Sequence, residues 1–208
     1  WLKGDRDPSV ATGLRFGVGL GAVLIPLQIL AGDLHGINTL EHQPQKVAAM
    51  EGNWETRAHA PLLLFALPDA AERTNRFEIG VPSGASLILK HDPAGVVPGL
   101  NDYVSQNGTV LHPPVAPVFW SFRVMVGIGF AMLGIGMWSL WGRVRGRLYD
   151  MPMLHRAAVL MGPSGFAAVL AGWITTEVGR QPFVVYGVLR TADAASPLDA
   201  PAVAASLL

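Results

Sequence analysis

PVFWSFRVMVGIGFAMLGIGMWSLW, residues 117–141, carries a single charge, Arg123, near its start. A helix needs about 20 apolar residues to cross a bilayer, so this stretch predicts a transmembrane helix. Two others match it. Residues 12–32 are free of charge from Phe16 onward, and residues 154–178 have none between Arg156 and Glu177. Gly and Pro recur in all three, which membrane helices tolerate better than soluble ones. The whole composition agrees: half of the residues are hydrophobic and 14% are charged, against roughly 25% in an ordinary soluble domain. Fifteen basic residues balance fifteen acidic ones, which gives no basic face for nucleic acid. The absence of Cys excludes disulfides, thiolate metal sites and cysteine nucleophiles. The expected class is an all-α integral membrane protein with three transmembrane helices of a larger bundle. The first residue is Trp1 and the last is Leu208, within an apolar run; the expectation is a piece of a longer polytopic chain.

Basic residues set the orientation. The loop 142–153 and the residue range just after it hold Arg143, Arg145, Arg147 and Arg156 against one Asp150, and Lys3 and Arg6 precede the first span. The positive-inside rule makes both places cytoplasmic. Residues 33–116 and everything from 179 onward are then expected outside. The outer segment 33–116 is long, rich in Pro and Gly, and mixed in charge. Loops of that length without regular structure are usually functional or disordered. Residues 45–56 read as a short helix, and Pro68-Asp69 and Pro82-Ser83-Gly84 as turns.

Ionisable groups near the membrane are costly and are normally paired, snorkelled or functional. Arg123 lies about two turns inside its span and Glu177 closes the third, near Arg180. Position alone leaves open whether they snorkel to water or form one electrostatic cluster. Met125 follows Arg123 by two residues. A membrane Met usually packs, but its thioether is also a haem ligand, often opposite His. Five of the six histidines, His35, His42, His59, His91 and His112, fall in the outer segment, and His155 stands at the inner edge of the third span, beside the inner loop. A Met/His haem therefore cannot be completed from these residues. Lys46 and Glu51, five residues apart on the short outer helix, point about 140° away from each other and make a poor intrahelical pair. They suit solvated surface charges equally well as a hydrogen-bond partner and a proton acceptor for a quinol.

Several motifs resemble one family. Gly32-Asp33 followed by residues 46–56 (KVAAMEGNWET) is similar to the start of the quinol-binding loop of subunit I of cytochrome bd-type quinol oxidases. Residues 122–126 (FRVMV) resemble that family's helix bearing the methionine ligand of a low-spin haem b. Gly172-Trp173, then residues 177–182 (EVGRQP), resemble its GRQP signature at an outer helix end. The run 32–44 and the short outer segment resemble the cyanide-insensitive branch. Phe183 departs from the family, which usually has Trp after GRQP.

The resemblance implies a terminal respiratory oxidase in the bacterial inner membrane. It would oxidise quinol (ubiquinol or menaquinol) at the periplasmic face and pass electrons through haems to reduce dioxygen to water. Lys46 and Glu51 would contact the quinol. Met125 would ligate the iron of low-spin haem b, with Arg123 beside it. A high-spin haem b is implied as well, and Glu177 would ligate the iron of a high-spin haem, with Trp173 one turn away on the same face. Arg180 and its neighbour Gln181 would meet haem propionates. Haem d or a third haem b, subunit II, a small accessory subunit and surrounding lipid are also implied. The family's amino-terminal helices with their histidine ligands are missing, so these residues alone are not expected to turn over. The competing reading is a non-enzymatic transporter or assembly component, with Arg123 and Glu177 as a buried ion pair and Met125 as packing.

The arginine cluster generates a topology test. A cysteine at Asn107 should react with a membrane-impermeant thiol reagent in intact spheroplasts; labelling only after lysis would reverse the orientation.

Overall fold

The structure, a computed structural model, describes residues 1–4 and 6–194. Its frame is helical. Helix α1 spans Pro8–His42 and starts where the Asp7 carboxylate accepts the Ser9 amide at 2.7 Å, with Pro8 in the first turn. Proline suits that position because the missing N–H is unpaired there anyway. The helix passes through Pro26 and ends at Gln43, whose N–H bonds Thr39 O; Pro44 then opens α2, Pro44–Glu51.

Helix α4 spans Val115–Val144. The third apolar run forms two pieces, α5 (Pro152–Met161) and α6 (Ser164–Gly179), bent by 40°. Gly162-Pro163 lies at the break, where proline removes a helix donor and crowds the preceding turn. Among the described residues two helices, α1 and α4, are long and apolar enough to cross a membrane, and α5 with α6 makes a third if the bent pair is one span.

Small residues let these helices approach. A Cβ on Gly136 of α4 would lie 3.1 Å from Ala22 Cα on α1. On the other flank, Ser121 of α4 and Thr175 of α6 share a buried hydrogen bond at 2.8 Å. Such close contacts and buried hydroxyl pairs hold membrane helices together where no hydrophobic difference between lipid and side chain can. Phe16, Leu20, Leu24, Leu27 and Leu30 of α1 stay exposed, as suits a helix facing lipid or further helices.

Two expectations change here. First, α1 continues ten residues past Gly32, so His35 and His42 belong to a helix rather than to a loop. At 1.5 Å per residue it is about 52 Å long, well beyond the roughly 30 Å apolar core. No proline interrupts the chain between Gly32 and Pro44, so polarity alone does not end the helix. Second, the chain is not wholly α. The outer segment folds into the antiparallel pair β1 (Leu62–Asp69) and β2 (Thr74–Val81), then α3 (Gly84–Lys90) and a 3₁₀ turn at Leu100–Tyr103. Past α6, β3 (Phe183–Val185) pairs with β4 (Leu189–Arg190). The expected start of a further helix beyond Pro197 lies outside the described residues.

The outer segment has its own core. Ala48, Ala49, Trp54 and Leu100 pack on Val115 and Val118 at the start of α4, while Leu63 and Ala66 of β1 pack on Phe119. The Pro68-Asp69 turn signal marks the hairpin tip, where Asp69 Oδ1 accepts the amides of Ala71 and Glu72 at 3.1 and 3.2 Å. The turn residues were legible; the strands, with Gly, Pro and charge breaking their alternation, were not.

The α1–α4 crossing predicts a stability effect. Gly136→Leu should force the helices apart and lower the thermal midpoint of the full-length protein in detergent, by the equivalent of about 1–3 kcal/mol typical of overpacking. An unchanged midpoint would mean that this contact does not hold the pair.

Candidate functional site

Helix α2 lies across the N-terminal end of α4 and the C-terminal end of α6 and carries a charged group to each. Glu51, in its last turn, faces α4, where Arg123 Nη2 approaches Glu51 Oε2 at 3.6 Å. Both are buried, with 6% of the Glu51 side chain and 12% of the Arg123 side chain exposed. At 3.6 Å this is an ion contact, not a hydrogen bond, and among the described residues Glu51 Oε2 has no hydrogen-bond partner. Burial raises the Glu51 carboxyl above the usual carboxylate range, and the guanidinium only partly opposes it.

Arg123 is occupied by backbone. Its Nε and Nη2 donate to Leu63 O at 2.8 and 2.6 Å, and Nη1 donates to Met50 O and to Phe119 O. The guanidinium carbon lies 3.4 Å from the Phe119 ring centroid. One planar fork thus joins α4 to the end of α2 and to the start of β1. Only an arginine presents five donors in that fixed arrangement.

Lys46, one turn and more before Glu51, faces α6 instead. Its stem crosses Gly179, where a Cβ would lie 3.1 Å from Lys46 Cγ. Burial lowers the ammonium below its ordinary value, with nearby Glu177 opposing that shift and Arg180 adding to it. Glu177 and Arg180 form an ion pair at 2.6 Å and are each nearly half exposed. The five charged residues therefore form two groups: Glu51 with Arg123, and Lys46 with Glu177 and Arg180. The buried Arg123–Glu177 pair of the transporter reading is not formed.

Below them, Met125 Sδ sits where a Cβ on Gly172 would be 2.9 Å away, so the thioether lies against a bare stretch of α6. Trp173 is 62% exposed and continues a line of exposed apolar side chains on α6, Phe166, Val169 and Leu170, which ends at Glu177. An exposed apolar stripe closed by a carboxylate suits the flat apolar ring of a haem, whereas the Met125 thioether meets α6 at Gly172, on a different side of the helix. Among the described residues no group of three His, Cys, Asp or Glu could hold a bare metal ion. Gln181 Oε1 accepts Thr191 Oγ1 at 2.7 Å, and its bond to Pro182 is cis. Phe183 packs edge-on against Tyr186, with ring centroids 5.5 Å apart.

Sequence reasoning missed three contributors: Leu63 O as the main partner of Arg123, Gly179 as the seat of Lys46, and Gly172 as the seat of Met125. No local signal marks the first, because sixty residues separate it from Arg123. The two glycines stand within stretches singled out for other residues.

Comparison with known proteins identifies the family. The family model for cytochrome bd terminal oxidase subunit I matches residues 1–208. The chain is 33% identical over 203 residues to the Bacillus subtilis cytochrome bd ubiquinol oxidase subunit 1, covering 95% of this chain and 42% of that one. It is 28% identical over 273 residues to the Escherichia coli cytochrome bd-II ubiquinol oxidase subunit 1, covering 100% of this chain and 53% of the relative. The bd oxidase structure from Geobacillus thermodenitrificans superposes with a TM-score of 0.80 at 30% identity, over 99% of this chain and 46% of that chain. The chain belongs to the cytochrome bd terminal oxidase subunit I family. It spans about half the length of these relatives.

The clamp at Arg123 predicts a loop phenotype. Arg123→Lys supplies a point charge that cannot reach the Leu63, Met50 and Phe119 carbonyls together. Each lost charged hydrogen bond is worth about 1.5–3 kcal/mol, so tryptic cleavage after Arg73 in the full-length protein should speed up by about tenfold or more. Helix content by circular dichroism should hold. Unchanged cleavage would show that the outer segment is anchored elsewhere.

Proposed function

We propose that this chain supplies the quinol-oxidising face and part of the haem ligation of a terminal oxidase that reduces dioxygen to water. The observation that carries the reading is the Glu51 carboxylate. It is buried at the outer end of the bundle, it has an oxygen without a hydrogen-bond partner, and burial raises its proton affinity. A quinol releases a pair of protons with its pair of electrons. A carboxylate whose pKa is moved toward neutrality is the acceptor such a step needs. Arg123 keeps the acceptor in place through backbone contacts. Lys46, with its ammonium partly desolvated beside α6, supplies a hydrogen-bond donor for the second ring oxygen.

Haem would carry the electrons and bind dioxygen. Met125 would hold the iron of a low-spin haem b, and Glu177 that of a high-spin haem, either b or d, with Trp173 against the ring and Arg180 and Gln181 at its polar edge. Arg123 is not free for haem propionates, since Leu63, Met50 and Phe119 use its donors; its influence there is that of a fixed positive charge two residues from Met125. Residues 33–116 would lie on the periplasmic side of the bacterial inner membrane. The quinol is a ubiquinol or a menaquinol; subunit II, a small accessory subunit and lipid complete the assembly.

Substitutions in the full-length oxidase test each part. Glu51→Gln keeps the shape and should lower quinol oxidase activity by about a hundredfold or more, as expected for a lost general base. Lys46→Ala should act mainly by raising the apparent KM for quinol. Near-normal activity with both substitutions would return these residues to the status of ordinary charges. Met125→Leu preserves volume but removes sulfur, and should convert the low-spin haem b signal to high spin or abolish it. Glu177→Gln should disturb only a high-spin haem. A normal low-spin spectrum in Met125→Leu would make Met125 a packing residue.

A further inference from the structure

We propose that Asn75, on β2 of the outer hairpin, is a positioning residue for quinol oxidation that fixes the C-terminal turn of α2 and, through it, the Glu51 carboxylate. This rests on Glu51 being the proton acceptor. The Asn75 amide makes three hydrogen bonds. Its Oδ1 accepts Trp54 Nε1 at 2.9 Å, and its Nδ2 donates to Gly52 O at 2.9 Å and to Glu78 Oε1 at 2.8 Å. The orientation of the amide is unambiguous, because an indole N–H only donates and a backbone carbonyl only accepts.

These bonds fall on either side of the reacting group. Glu51 lies between Met50, whose carbonyl Arg123 holds from α4, and Gly52, whose carbonyl Asn75 holds from the hairpin. Gly52 has φ +67° and closes α2 in the left-handed conformation, and a Cβ there would stand 2.9 Å from the Phe119 ring. The turn therefore has little freedom except through its two clamps. The hairpin can act as a fixed post because its own first strand is tied to α4 by Leu63 O on Arg123. An apolar loop of equal bulk would pack the same surfaces without orienting a carbonyl. The asparagine amide does what packing cannot: it sets the rotation of the Gly52–Asn53 peptide, one residue past Glu51.

The substitution Asn75→Asp is nearly isosteric, keeps the acceptor for Trp54, and loses both donated bonds while facing Gly52 O and Glu78 with negative charge. Asn75→Ala removes the amide without adding charge and serves as the second variant should the aspartate chain fail to assemble with haem. Both are made in the full-length oxidase complex and assayed with ubiquinol-1 or menadiol, whichever the unaltered enzyme oxidises. Misplacement of a reacting group by about an ångström costs up to roughly a hundredfold, so kcat should fall by about ten- to a hundredfold. KM should stay within about twofold and the haem spectra should be unchanged. Because the effect passes through Glu51, adding Asn75→Ala to Glu51→Gln should lower activity no further. A parallel rise in KM, or the same loss in the Glu51→Gln background, would mean general loosening of the outer segment and overturn the proposal. Unchanged kcat in both Asn75 variants, with Glu51→Gln still defective, would overturn it and leave Glu51 as the acceptor. Near-normal activity of Glu51→Gln would remove both.

Discussion

A guanidinium near the membrane cannot be left without partners, and how Arg123 meets that demand shapes the outer half of the molecule. Carboxylates are the usual answer. Here most donors go to carbonyl oxygens contributed by three different elements, and the nearest carboxylate stands back at 3.6 Å. A buried ion pair that is also fully hydrogen-bonded gives up its chemistry to structure. The arrangement at Arg123 does the reverse. It satisfies the cation with backbone, fixes α2 and β1 on α4, and leaves the Glu51 oxygen available. Its positive charge still moderates the cost of an ionised Glu51, while burial keeps the carboxyl above the usual carboxylate range.

The same logic separates the two charges on α2. Glu51 turns to α4 and Lys46 to α6, so one eight-residue helix bridges the start of α4 and the end of α6. α6 ends in the Glu177–Arg180 pair beside Lys46, and α4 carries Met125 two residues beyond Arg123. Quinol chemistry and the proposed haem ligands would then meet through rigid neighbours. Gly172 and Gly179 provide the close approaches; a side chain at either would move the Met125 sulfur or the Lys46 stem.

How much of this the sequence disclosed depends on the range of each interaction. The helices were legible because apolar length is a local property: residues 117–141 lie within α4, and residues 154–178 cover most of α5 and of α6. The bend between α5 and α6 was within reach too, since Gly162-Pro163 marks it. The extension of α1 to His42 was not, because polar residues at 33–42 signal the end of the apolar run rather than of the helix. The separation of Lys46 from Glu51 follows from their spacing. Their partners do not: Arg123 is 72 residues from Glu51 along the chain, and Asn75 reaches Gly52 only because a hairpin folds back onto α2. The motif residues were readable from family resemblance, whereas the contacts that orient them required the fold.

The central claim is that Glu51 accepts a proton from a quinol held against the end of α2. An experimental structure of the full-length oxidase with a bound quinol analogue addresses it most directly. The account predicts a ring oxygen within about 2.6–3.2 Å of the Glu51 carboxylate, the span of a productive proton transfer, with Arg123 still on the Leu63 and Met50 carbonyls. A head group seated elsewhere on the outer segment, with Glu51 facing Arg123 alone, would contradict it.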